Sequence, residues 1–223
     1  MTKRQVLLGF AAMSLSFASV MTARANMFSN DAQSQVGTAT INIPGWGSAN
    51  GTASITLNSN PIGTVSAGLF QISPPQQSTN YAACVDLQNF ISFGNNNNYN
   101  YQVWYAYGRA GALAALYTSI NWNNADEAVG FQLALWELVY DSYNNPSNDN
   151  LFGGNFIVTS PTSPGAISKA QSFLSQAQVP APYFYLRAEG GRHQDLILVP
   201  EPASLLALGV GVAGVALRRR RRA

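Results

Sequence analysis

Apolar positions along this chain fall into two regimes. Continuous apolar runs lie near the ends, Val6 to Val20 and Leu205 to Leu217, and between them the pattern is broken and periodic. From Gln35 to Phe70, β-branched and aromatic residues gather in short runs: Val36 to Ile43, Thr52 to Leu57 and Ile62 to Phe70. Pro44-Gly45-Trp46-Gly47 and Asn58-Ser59-Asn60-Pro61 divide them. The runs predict strands and the dividers predict turns. Gln71 to Asn80 predicts a Pro/Gln/Ser loop, Tyr81 to Phe93 a further strand, and Gly94 to Asn100 an Asn-rich loop.

The period then changes. Tyr101 to Ile120 is rich in Ala, Leu and Tyr and sets Trp104, Tyr107, Gly108, Gly111 and Ala115 at helix-like spacing, which predicts a helix. Asn124 suits the N-cap of a second helix, with Asp126 and Glu127 placed to favour its dipole. That helix runs to about Tyr140 and is ended by Asn144-Asn145-Pro146. A third starts at Ser163-Pro164, a cap followed by Pro at the first helical position, and carries Ile167, Ala170, Phe173, Leu174 and Ala177. Strands return at Asn155 to Thr159, Tyr183 to Ala188 and Gln194 to Val199. The pattern predicts one α+β domain: a β-sandwich or barrel with a small helical insert between its strands.

The end runs have a different logic. Lys3 and Arg4, the apolar stretch after them and Ala23-Arg24-Ala25 have the three parts of a secretory signal peptide. Cleavage is expected after Ala25, which makes residues 1–25 a leader and Asn26 the first mature residue; an uncleaved anchor is the alternative. At the other end, Val199-Pro200-Glu201-Pro202-Ala203-Ser204 leads into the Leu205 to Leu217 run and then Arg218 to Arg222. The apolar run is short for a membrane helix, and the arginines hold its far side in the cytoplasm. This order resembles the PEP-CTERM sorting signal of Gram-negative, exopolysaccharide-making bacteria, with Pro200, Glu201 and Pro202 as its motif. The resemblance implies a membrane transpeptidase of the exosortase class as partner, a transmembrane helix before processing, and an address at the cell surface or in the biofilm matrix. A plain tail anchor is the alternative. Either way residues 26–198 form an ectodomain and 199–223 a sorting tail.

Charge and composition narrow the chemistry. Between Asn26 and Val199 only Arg109, Lys169, Arg187 and Arg192 are basic, against nine acidic residues, so the ectodomain carries −5. Nucleic-acid binding needs a basic face and is not expected. One Cys and one His far apart give no metal-ligand spacing, and neither a phosphate loop nor a cofactor signature is present. A single cysteine in an oxidising compartment forms no internal disulfide; it is buried, paired with another chain, or chemically used.

That cysteine is Cys84, in Tyr81-Ala82-Ala83-Cys84-Val85-Asp86-Leu87. Gln132 lies on the second predicted helix, where its neighbours at three and four positions, Ala128, Val129, Leu135 and Trp136, are all apolar. Its carboxamide is therefore expected to be buried, and it must bond to the backbone or be consumed in a covalent bond. Gln132-Leu133-Ala134-Leu135-Trp136 and the strand around Cys84 resemble the two motifs of bacterial thioester domains, which stand at the tips of Gram-positive adhesins. The similarity spans roughly Asn80 to Asp141. Phe131 departs from the family's usual Thr, and Tyr81 stands three residues before the cysteine. The resemblance implies a thioester crosslink between Cys84 and Gln132, shielded by Trp136 and Tyr81. It also implies single-turnover capture of an amine or hydroxyl on a matrix or surface partner, which is not enzymatic turnover. Lys169 is the only lysine of the mature chain, which limits self-reaction.

Two other functions compete. A thiol hydrolase needs Cys84 with His193 and Asp195, but Cys84 is predicted in a strand and His193 in a polar hairpin loop. A non-covalent structural or carbohydrate-binding protein of the matrix would use Trp46, Trp104, Trp122, Tyr99 to Tyr107 and Asn95 to Asn98.

Overall fold

A computed structural model describes residues 33–199 except 74–79, 88, 95–96, 142–144, 162 and 192. The expected leader, the Pro200-Glu201-Pro202 motif, the apolar run and the arginines after it lie outside the described residues. Among the described residues no helix is long and apolar enough to cross a membrane.

The architecture is mostly β. Strands are numbered in chain order, and six of them close a barrel. Around it run β1 (Ser34–Trp46), β4 (Leu69–Ser73), β5 (Asn80–Cys84), β9 (Leu196–Val199), β8 (Ala181–Ala188) and β6 (Asn98–Gly108). The remaining three, β3 (Asn60–Ala67), β2 (Gly51–Leu57) and β7 (Phe156–Pro161), form a separate antiparallel sheet. β2 and β3 join through Asn58 and Ser59, both at positive φ, which suits a tight two-residue hairpin.

Between β6 and β8 lie α1 (Arg109–Ala115), α2 (Ala125–Tyr140) and α3 (Ala166–Gln176), interrupted by β7. Helix α2 is capped by Asn124, whose side chain accepts the Asp126 N–H at 2.8 Å. Every residue from Ala128 to Tyr140 is buried, because α2 packs against α1, α3 and the three-stranded sheet at once. A helix apolar on all sides belongs in such a position.

The strand and helix boundaries correct several sequence expectations. Tyr101 to Gly108 is not helical: it belongs to β6, and helix starts only at Arg109. Tyr99, Tyr101, Ala106 and Gly108 are buried while Asn98, Asn100, Tyr105 and Tyr107 are exposed, the alternation of a strand. Asn98 to Asn100, expected as loop, is its first turn of pairing with β1. Pro44-Gly45-Trp46 is no turn but the end of β1, where a register irregularity between Asn42 and Gly45 marks its passage from β6 to β4. The expected strand from Ile62 to Phe70 breaks at Gly68, whose φ of +150° carries the chain from the small sheet into the barrel. Gln71 to Ser73 continues β4, while the strand expected to reach Phe93 ends at Cys84. Helix α3 starts at Ala166, because Ser163 spends its hydroxyl on the Asp126 carboxylate.

Candidate functional site

Cys84 is the last residue of β5, opposite Leu196 of β9, and the chain leaves the barrel immediately after it. Gln132 comes to it from α2. The Cys84 N–H donates to Gln132 Oε1 at 3.2 Å, and Gln132 Nε2 donates to the Cys84 carbonyl at 2.6 Å. One buried carboxamide thus holds both polar main-chain groups of the cysteine, across 48 positions of sequence. Both residues are buried, Gln132 completely.

The segment after Cys84 is pinned from several sides. Val85 N–H donates to the Asp195 carbonyl at 2.9 Å, and Gln194 Nε2 donates to the Asp86 carbonyl at 3.2 Å. Leu87 N–H donates to the Tyr140 hydroxyl at 3.0 Å. Tyr140 stands two turns beyond Gln132 on the same face of α2, so one helix grips the segment at both ends. Asp86 is buried and accepts from Asn89 Nδ2 at 2.5 Å; Asp195 is buried and accepts the Ala188 N–H at 2.9 Å. Sequence reasoning missed Asp86, Gln194 and Tyr140. Only the Tyr140 spacing from Gln132 offered a signal, since the others depend on strand order in the barrel.

The thiol itself donates to the Asp86 carbonyl at 3.0 Å. Burial pushes its pKa well above the ordinary thiol range, and the negative charge of Asp86 adds to the rise. The bond to the Asp86 main chain and the indole of Trp136 act in the opposite direction. The Trp136 side chain, on a residue 1% exposed, reaches the thiol through its N–H without completing a hydrogen bond of full geometry. Burial thus favours the protonated thiol here, unlike the electropositive, partly exposed setting of a catalytic thiolate.

Of the two residues expected as shields, Trp136 borders the thiol, whereas the Tyr81 ring packs with Tyr117 at 6.1 Å and lies beside Gly47. Lys169 is engaged, its Nζ 2.8 Å from Glu127 Oε1. His193 packs edge-on against Tyr99 at 4.5 Å, and the Asp195 carboxylate serves the Ala188 N–H. The tryptophans belong to different aromatic groups: Trp46 with Phe70 and Phe93, Trp104 with Tyr185, Trp122 with Tyr117 and Phe131. Asn97 donates to the Ser92 and Phe93 carbonyls of its own loop, and Asn95 and Asn96 lie outside the described residues. Among the described residues no group of three or more His, Cys, Asp or Glu is placed to hold a metal ion.

Residues 198–221 match the family model of the PEP-CTERM protein-sorting motif. That motif implies an exosortase-sorted protein of the cell envelope or surface in a Gram-negative bacterium. No curated protein and no solved structure matches the chain.

Proposed function

We propose that this exosortase-sorted chain forms an internal thioester between Cys84 and Gln132 and spends it once, in covalent attachment to a nucleophile on a matrix or surface partner. The observation that carries this reading is the pair of hydrogen bonds between the Gln132 carboxamide and the main chain of Cys84, the chain's one cysteine, in a buried site. In the formation step the Cys84 sulfur adds to Gln132 Cδ, and negative charge develops on Oε1. The Cys84 N–H already donates to that oxygen, so its stabilisation needs no rearrangement. The C–N bond then breaks, and the thiol proton leaves with the nitrogen as ammonia. Capture reverses the logic: an amine or hydroxyl adds to the same carbon, the C–S bond breaks, and the proton passes to sulfur. Holding the partner in place supplies most of the rate, and there is one turnover.

Before processing, the C-terminal apolar run holds the chain in the membrane, where the exosortase-type transpeptidase meets Pro200-Glu201-Pro202.

The test is peptide mass mapping of the full chain beside Cys84→Ala. Linked Cys84 and Gln132 peptides, together lighter by one ammonia and separated by methylamine, are expected in the wild type and absent in the variant. An unmodified Gln132 peptide with a titratable Cys84 thiol would overturn the reading and leave Gln132 as a clamp on the end of β5.

A further inference from the structure

A groove of about 240 Å³ opens on the surface between the small sheet and the loop after β5. Trp46, Phe70, Phe90 and Phe93 give it aromatic walls, and Thr64, Ser66 and Gln194 add hydroxyl and carboxamide groups. Trp136 lines it as well, and this is the same buried indole that bears on the Cys84 thiol. One side chain therefore borders both the groove and the reactive pair. The groove is also unusual in what it exposes: Phe90 is 80% and Phe93 39% exposed, although both are large and apolar.

None of the lining residues carries a charge. A lysine ammonium brought here would shed its hydration with no carboxylate in the lining to replace it. A neutral ligand with apolar ring faces and a hydroxyl-bearing edge meets no such cost. Its faces lie against the aromatic walls, and its edge bonds to Thr64, Ser66 and Gln194. We infer that this groove receives the acceptor of the capture reaction, and that the acceptor is a neutral saccharide attacking through a hydroxyl.

The inference rests on the thioester reading and names its substrate class. In the step itself the saccharide oxygen bonds to Gln132 Cδ, the C–S bond breaks, and the hydroxyl proton passes to the Cys84 sulfur. The products are an ester at position 132 and a free thiol. Trp136, closing the inner end, must yield for the hydroxyl to arrive.

The full chain is offered three probes in parallel: maltohexaose as a neutral saccharide, an Nα-acetyl-lysine amide as a cationic amine, and methylamine as a small nucleophile. Adducts on the Gln132 peptide are counted by mass. The saccharide adduct is expected to form faster than the lysine adduct, and to fall about tenfold in Phe93→Ala, the loss of one aromatic anchor. Phe90→Ala, at a more exposed position, is expected to show a smaller loss in the same direction. Methylamine, small enough to need no groove, should react alike with all three proteins, which also shows that the variants fold. A lysine adduct that outpaces the saccharide, or a saccharide adduct indifferent to both substitutions, overturns the inference while the thioester stands. Failure of methylamine to react with the wild type overturns the thioester reading and the inference with it.

Discussion

Gln132 has a structural duty and a proposed chemical one, and substitutions separate them. Cys84→Ala removes the thiol but keeps both main-chain bonds to the carboxamide, whereas Gln132→Ala strands the Cys84 N–H and carbonyl in a buried site. Gln132→Ala should therefore be less stable than Cys84→Ala by roughly 1–3 kcal/mol in urea unfolding. A thioester adds a second effect, since it closes the loop between the two residues as a disulfide would. Methylamine releases that closure and leaves an N-methyl carboxamide at position 132. Treated wild type is thus expected to unfold near the Cys84→Ala midpoint, and both below untreated wild type by about 3 kcal/mol. Equal midpoints for treated and untreated protein would deny the crosslink. The burial of Gln132 was legible in its apolar helix neighbours. The partners of its neighbour in space were not, because Asp86 and Gln194 meet only once β5 and β9 pair.

Among the elements, close approach governs two of the helices. A Cβ on Gly111 would lie 2.0 Å from the Ala181 carbonyl oxygen of β8, and one on Gly130 would lie 2.7 Å from Lys169 Cβ and 2.9 Å from the Ala166 carbonyl oxygen. The obstacle at Gly111 is main chain and no rotamer relieves it, so Gly111→Ala should lower stability by about 3 kcal/mol in thermal unfolding. Gly130→Ala, which forces α2 and α3 apart, is expected to cost somewhat less. The long buried helix was legible because its cap, first-turn acids and apolar run all agree. The segment from Tyr101 to Gly108 was not. Its Gly, Ala and Trp residues fit a helical spacing, while its tyrosines alternate with a period of two, and the barrel chose the latter by pairing β6 on both sides. The Ser163-Pro164 start failed for a local reason: Asp126 of α2 outbid the α3 backbone for the Ser163 hydroxyl.

Across the molecule, one buried acid sets a pH dependence. Glu137 is fully buried, and that burial, helped by Asp141 and Asp149, lifts its pKa from 4.5 to about 8, against the opposing pull of the Asn150 N–H and Arg109. Between those two values the unfolded chain has lost the proton that the folded one keeps, so stability falls as pH rises through the window and levels off above it. Glu127, held low chiefly by its bond to Lys169, acts in the opposite sense, and only at the acid end. Wild type is expected to melt at least about 5 °C lower at the upper end of the window than at the lower, and Glu137→Gln to lose most of that difference. Nearby, Asp149→Asn leaves the buried Arg109 guanidinium without its paired carboxylate, which should cost about 3 kcal/mol in urea unfolding. The sorting segment begins where β9 ends, and β9 is flanked by β5 on one side and β8 on the other. For a chain held at its C-terminal side, tension enters at Val199 and runs lengthwise along β9, across hydrogen bonds that lie perpendicular to it. The pairs from Tyr81–Val199 to Cys84–Leu196 then bear the pull together, as do those from Tyr185–Ile197 to Leu186–Leu196, and none opens before its neighbours. A partner hung from Gln132 would pull against that same rung of the barrel, so the strand that carries the tether and the strand that carries the cysteine form one mechanical splice.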